Sequence, residues 1–135
     1  MIVVDTNVLA YLWLPGDHTV PAEQLWQQDP EWVAPLLWRS EFRSVLSGYL
    51  RRGRVSLEVA TRIMNDVEDQ MRGREYSVAS SEVLRLVAGS SCSAYDCEFV
   101  ALATALAVPF VTSDVAVLRA FPGIARSLER AGRQR

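Results

Sequence analysis

Four acidic residues stand where a strand should just have ended or a helix just begun: Asp5, Glu41, Asp96 and Asp114. Asp5 closes the apolar run Ile2-Val3-Val4, and Asp114 comes soon after the run Phe110-Val111-Thr112. Asp96 falls in the first turn of a helix expected from Ser93. Glu41 falls in the second turn of a helix expected from Pro35, roughly 9 Å from its start at about 1.5 Å per residue. Carboxylates crowded together repel, so their pKa values rise or the acids spread apart unless a cation joins them. All-oxygen ligation suits Mg²⁺ or Mn²⁺, which keep several waters and accept phosphate oxygens. One or two such ions can activate water and hold a phosphodiester for in-line attack. Hydrolysis of a nucleic-acid backbone is the chemistry the set implies. Asn7, Thr112 and Ser113 are placed to hydrogen-bond the acids or to position the water.

For the four acids to meet, the elements must put them on one side. The pattern predicts strands at Ile2–Val4, Trp32–Ala34, Glu75–Val78 and Phe110–Thr112. Between them it predicts helices over Asn7–Trp13, Pro21–Gln27, Pro35 to about Arg52, Ser56 to about Met71, Ser81–Ala88, Ser93–Ala107 and Asp114–Ala120. Ile124–Leu128 reads equally as an edge strand or a helix start. Strands alternating with helices predict an α/β fold, a mainly parallel sheet with helices on both faces. Right-handed crossovers then bring every strand end and every following helix start to one edge, where ligands of such sheets bind.

Each acid also has a purely structural reading. Asp96 fits a Ser-x-x-Asp cap with Ser93, Asp114 a cap on the helix after it, Glu41 a solvated helix position and Asp5 a turn. Helix geometry separates Asp96 from these, because it shares a face with Phe99, Ala103 and Leu106, which must pack on the sheet. A carboxylate on a buried stripe is costly unless something compensates it. On the same helix, Glu98 is expected to point to solvent.

Composition narrows the classes. The 135 residues, half of them hydrophobic, predict one globular domain over 1–135. The longest mostly apolar stretch, Phe99 to Val111, is too short for a membrane span, and the N-terminus lacks the basic flank of a signal peptide. A cytoplasmic protein with no membrane contact is expected. Cys92 and Cys97 are expected to be reduced and structural, and the single His18 removes histidine-based metal clusters. All 14 basic residues are arginine, so a phosphate-binding loop ending Gly-Lys-Ser/Thr is excluded. The net charge of −2 leaves any nucleic-acid contact to local arginines or a bound metal. The candidates are Arg51, Arg52 and Arg54 around Gly53, and the tail arginines Arg126, Arg130, Arg133 and Arg135, although each group also reads as an ordinary helix end or terminus. Trp13, Trp26 and Trp32 are core residues by default and alternatively line a groove for a partner helix.

Four segments resemble the PIN domain family, and within it the VapC-type toxins: Ile2-Val3-Val4-Asp5-Thr6-Asn7-Val8-Leu9, Ser40-Glu41, Tyr95-Asp96-Cys97-Glu98-Phe99-Val100-Ala101-Leu102-Ala103 and Val111-Thr112-Ser113-Asp114. Their order and spacing agree over nearly the whole chain. The resemblance implies a three-layer α/β/α fold around a parallel sheet of four to five strands, and a Mg²⁺- or Mn²⁺-dependent ribonuclease with Asp5, Glu41, Asp96 and Asp114 as metal ligands and catalytic residues, supported by Asn7 and Thr112. It also implies an RNA substrate, a homodimer and a cognate antitoxin. Many relatives carry a further acid two or three residues beyond the position of Asp114. Here Val115, Ala116 and Val117 follow, which weakens a second metal position. Two other classes compete. A degenerate PIN domain would bind RNA or protein without cleaving. A phospho-acceptor protein with Asp5 as nucleophile is disfavoured by the absence of lysine and by Asn7 where a second Asp would stand.

Overall fold

The computed structural model describes residues 1–133. Arg135 therefore lies outside the described residues. The chain runs β1 (Ile2–Val4), α1 (Thr6–Trp13), α2 (Thr19–Gln28), β2 (Trp32–Pro35), α3 (Trp38–Arg51), α4 (Leu57–Gln70) and β3 (Glu75–Tyr76). It continues through α5 (Ser80–Ala88), α6 (Ala94–Leu106), β4 (Phe110–Val111), α7 (Val115–Ala120), β5 (Ala125–Arg126) and α8 (Leu128–Arg133). The five strands form one sheet in the order β3-β2-β1-β4-β5. All neighbours are parallel, with Val3 opposite both Val33 and Phe110.

Buried strands explain the short, unalternating runs. Ile2, Val3, Val4, Trp32, Val33, Ala34, Phe110 and Val111 are all buried, as a parallel sheet covered on both faces requires. Helix α6 packs along β1, β2 and β4 on one side and against α5 on the other. It therefore buries Cys97, Phe99, Val100, Ala101, Leu102 and Ala103 and has no wide polar face. It ends at Ala107 in the left-handed region (φ 56°), a cap conformation usually taken by glycine. Both cysteines are free and buried, and burial raises both thiol pKa values, consistent with structural thiols.

Most boundaries shift by a residue or two from the sequence expectation, with α2 opening at Thr19 and β4 ending at Val111, and the larger departures lie around Pro35 and at the end of β3. Pro35 ends β2 and does not open the helix. The amides of Ala34 and Leu36 donate to the Arg74 and Tyr76 carbonyls of the β3 side, so the proline nitrogen faces β1, which has already turned into α1. Helix α3 consequently starts at Trp38, and Glu41 is in its first turn, not its second. Strand β3 stops at Tyr76, not Val78, because β2 has no further residue in the sheet to pair with it. The ambiguous C-terminal run holds both alternatives, with β5 pairing beside β4 and α8 following immediately.

Candidate active site

The carboxyl edge of the sheet receives the end of β1 and β4 and the first turns of α3, α6 and α7. Asp5 follows β1, and its amide is fastened to β4 by donating to the Val111 carbonyl (2.9 Å). Its side chain accepts from the Thr112 hydroxyl (Oγ1 to Oδ2, 2.6 Å). The same hydroxyl accepts the Asp114 amide (3.1 Å), so one buried threonine links two of the acids. Across the edge, the buried Thr6 hydroxyl donates to Glu41 Oε1 (2.7 Å). Asp96 sits in the first turn of α6, its amide donating to the Ser93 hydroxyl that caps the helix (3.1 Å).

The electrostatics tie three of the acids together. Burial is the largest influence on Asp5 and raises its pKa; the Asp96 charge adds to this, and the Thr112 hydroxyl with the nearby Asn7 and Thr6 amides opposes it. Glu41 is raised too, first by burial and then by the charges of Asp5, Asp96 and Glu98, against the Thr6 hydrogen bond. No basic side chain contributes to either acid among the described residues. Hydroxyl groups soften the repulsion without neutralising it.

Asp114 stands apart from this trio. It is exposed and caps α7, with Oδ1 accepting the amides of Ala116 (2.9 Å) and Val117 (3.3 Å). Its other carboxylate oxygen takes no hydrogen bond among the described residues. The Asn7 side chain is exposed, and Ser113 bonds none of the acids, so of the three expected supporting side chains only Thr112 touches one. Thr6 was not expected, although a hydroxyl in the first turn after a strand-ending acid is a readable signal. Glu98 also departs from expectation. It is half-buried, burial raises its pKa, and its charge reaches Glu41.

Donor chemistry fits a hard divalent ion: oxygen ligands only, a local excess of negative charge and, among the described residues, no basic side chain acting on Asp5 or Glu41. Among the described residues, however, no three acids converge closely enough to enclose an ion. Asp5 and Glu41 are turned instead to Thr112 and Thr6.

A second feature opens where α1, α2 and α4 meet. A cleft of about 680 Å³ is lined by Leu12, Trp13, Trp26 and Pro30, with Glu23, Asp66, Asp69 and Arg74 around them. Trp26 is 42% exposed there, whereas Trp32 is fully buried in β2 and lines no groove. The Trp13 indole donates to Gln70 Oε1 (2.5 Å), and the Gln70 amide nitrogen is buried without a partner. The arginines around Gly53 are exposed at the far end of α3, where Arg52 stacks over the Tyr49 ring at 5.2 Å.

The PIN domain family profile matches residues 2–122. No curated protein matches the sequence. Among solved structures, PAE2754 from Pyrobaculum aerophilum superposes with a TM-score of 0.78 at 21% identity, over 98% of this chain and 94% of that one. A toxin–antitoxin complex from Klebsiella pneumoniae gives a TM-score of 0.66 at 14% identity, over 95% of this chain and 98% of that one. At these identities the two structures establish a shared fold.

Proposed function

We propose, since this chain belongs to the PIN domain family, that it is a divalent-metal-dependent endoribonuclease of the VapC type, the toxin of a toxin–antitoxin pair. One observation carries the reading. Asp5 and Glu41 are partly buried, both in the field of Asp96 and Glu41 also in that of Asp5, and no basic side chain among the described residues neutralises them. Such a site is built at a cost, and a divalent cation is the group that relieves it.

Asp5, Glu41, Asp96 and Asp114 would hold Mg²⁺ or Mn²⁺, which when bound lowers the pKa of a coordinated water and polarises a phosphoryl oxygen. The remaining work falls to the protein. Thr112 fixes the Asp5 carboxylate and the Asp114 backbone at once, and Thr6 fixes Glu41. Val115, Ala116 and Val117 bring no further acid to the edge, which favours one ion over two.

The cleft between α1, α2 and α4 is the candidate seat of an antitoxin. Its tryptophans offer apolar area, and Glu23, Asp66 and Asp69 outnumber Arg74, which suits an amphipathic helix with basic flanks. From Trp13 back to Asp5 is about 12 Å along α1, so a few extended residues of the same partner would reach the acids. A second copy of the chain is the other partner this reading expects. No helix among the described residues is long and apolar enough to cross a membrane, and the cytoplasm is the expected location.

The test is cleavage of a mixed RNA pool by purified protein with Mg²⁺, Mn²⁺ or EDTA, alongside Asp96→Asn. The expected result is metal-dependent cleavage that EDTA abolishes and that Asp96→Asn lowers by about a hundredfold or more. A non-catalytic RNA- or protein-binding module is the competing reading, favoured by the open spread of the acids. Folded, inhibitor-free protein that cleaves with neither ion would establish it.

A further inference from the structure

Beside the acid edge, on its β3 side, lies a separate pocket of about 480 Å³. It is lined by Leu36 just past β2, Tyr76 at the end of β3, Ser77, Val78, Val83 of α5 and Glu98 of α6. These are strand ends and early helical turns, so the pocket opens on the same edge as the acids. Leu36 is about half exposed, leaving apolar wall accessible.

Glu98 is the charged side chain in the lining of this pocket. It is half-buried and takes no hydrogen bond and no ion pair among the described residues, whereas Glu75 of β3 is saturated with donors. Its oxygens are not among the side-chain atoms buried without a partner, so solvent serves them in the free protein, and a ligand that brings donors takes the place of that water. The apolar walls and the tyrosine ask that this ligand be flat and aromatic. Among nucleobases only guanine presents two hydrogen-bond donors side by side, N1–H and N2–H, matching the two oxygens of one carboxylate. Adenine and cytosine set their amino group beside an acceptor, and uracil sets its N–H between two.

We infer that this pocket takes a guanine base of the RNA strand lying along the acid edge, with the Glu98 carboxylate accepting its N1 and N2 hydrogens and Leu36, Val78 and Tyr76 covering its ring. The inference rests on the ribonuclease reading for its biological sense, but the base pocket can be tested without catalysis.

The experiment is a titration of the metal-free protein in EDTA with 5′-GMP and 5′-AMP, followed by amide NMR shifts, for the wild type and the isosteric Glu98→Gln. Resonances of residues 76–78 and 98 are expected to move with 5′-GMP at roughly tenfold lower concentration than with 5′-AMP, and Glu98→Gln is expected to erase that difference. Equal response to both nucleotides, or a guanine preference that survives Glu98→Gln, overturns the inference. Free arginine moving these resonances when 5′-GMP does not overturns it in favour of a basic protein side chain. In cleavage mapping, the share of cuts flanked by guanine is expected to fall in Glu98→Gln. Guanine binding without any RNA cleavage would sink the nuclease reading and leave the pocket standing.

Discussion

Glu75 and Glu41 are both partly buried glutamates near the carboxyl edge, one opening β3 and the other in the first turn of α3. Glu75 is clamped. Arg39 donates to it through Nε (2.5 Å) and Nη2 (2.8 Å), the Trp38 indole donates as well (2.7 Å), and the Arg39 hydrogen bond is the chief reason its pKa falls below the ordinary value of 4.5. Arg39 also reaches Glu68 on α4 (3.1 Å), so this cluster pins α3, α4 and β3 together. Glu41 has one hydroxyl and three like charges, and its pKa rises. The first carboxylate is complete within the protein and holds the fold. The second is left short of positive charge, and the proposed cation site rests on that shortage.

The sharpest way to break this comparison is to neutralise the acids one at a time. Asp5→Asn is expected to lower metal-dependent RNA cleavage by about a hundredfold or more, and to raise the metal-free melting temperature at neutral pH. A melting temperature that falls would mean Asp5 serves the fold in the way Glu75 does. Thr112→Val removes the hydroxyl that bonds both Asp5 and the Asp114 amide. Metal affinity should drop roughly 10–100-fold, as for lost partners of metal ligands, read as the Mn²⁺ concentration giving half-maximal cleavage. Glu75→Gln should cost about 2 kcal/mol in urea unfolding, since hydrogen bonds to charged groups contribute about 1.5–3 kcal/mol, while cleavage per folded molecule holds. The smallest effect separates the two roles of Asp114. Asp114→Ala should lose about 1 kcal/mol of cap stability, which Asp114→Asn should keep because Asn caps as well as Asp. Reduced cleavage in both variants marks a ligand, whereas full cleavage by Asp114→Asn marks a cap only.

The comparison also fixes the sign of the pH dependence. Asp5 and Glu41 have raised pKa values in the folded state, so the folded protein holds these protons more tightly than the unfolded chain. Their contribution favours folding at low pH and is lost as pH climbs from the ordinary carboxylate range through the raised values. Glu75 runs the other way, contributing above its ordinary value and losing that contribution as pH falls. Metal-free Glu41→Gln should therefore be more stable than wild type at pH 7, and Glu75→Gln less stable. Differential scanning calorimetry in EDTA reads both.

Much of this was legible in the chain. The strand positions, the placement of Asp5, Asp96 and Asp114 at element ends, and the Ser93 and Ser56 caps all follow from local apolar period and capping chemistry. The misplaced helix start at Pro35 has a specific cause. Proline suits a first helical turn and also a strand end beside a neighbour that has already left the sheet, and only the register distinguishes them. Glu98 was misread because a helical wheel ranks faces relative to one sheet, whereas α6 is covered on two sides and has little solvent-facing surface. Arg39 with Glu75 and Thr6 with Glu41 join residues 36 and 35 positions apart, beyond the reach of any local pattern.

The most direct measurement of the central claim is Mn²⁺ binding, by calorimetry and electron paramagnetic resonance, to wild type, Asp5→Asn and Glu75→Gln at neutral pH. The account predicts saturable Mn²⁺ binding to wild type and to Glu75→Gln, weakened at least tenfold in Asp5→Asn. Binding that is absent from wild type up to millimolar Mn²⁺, or equal in wild type and Asp5→Asn, would contradict it.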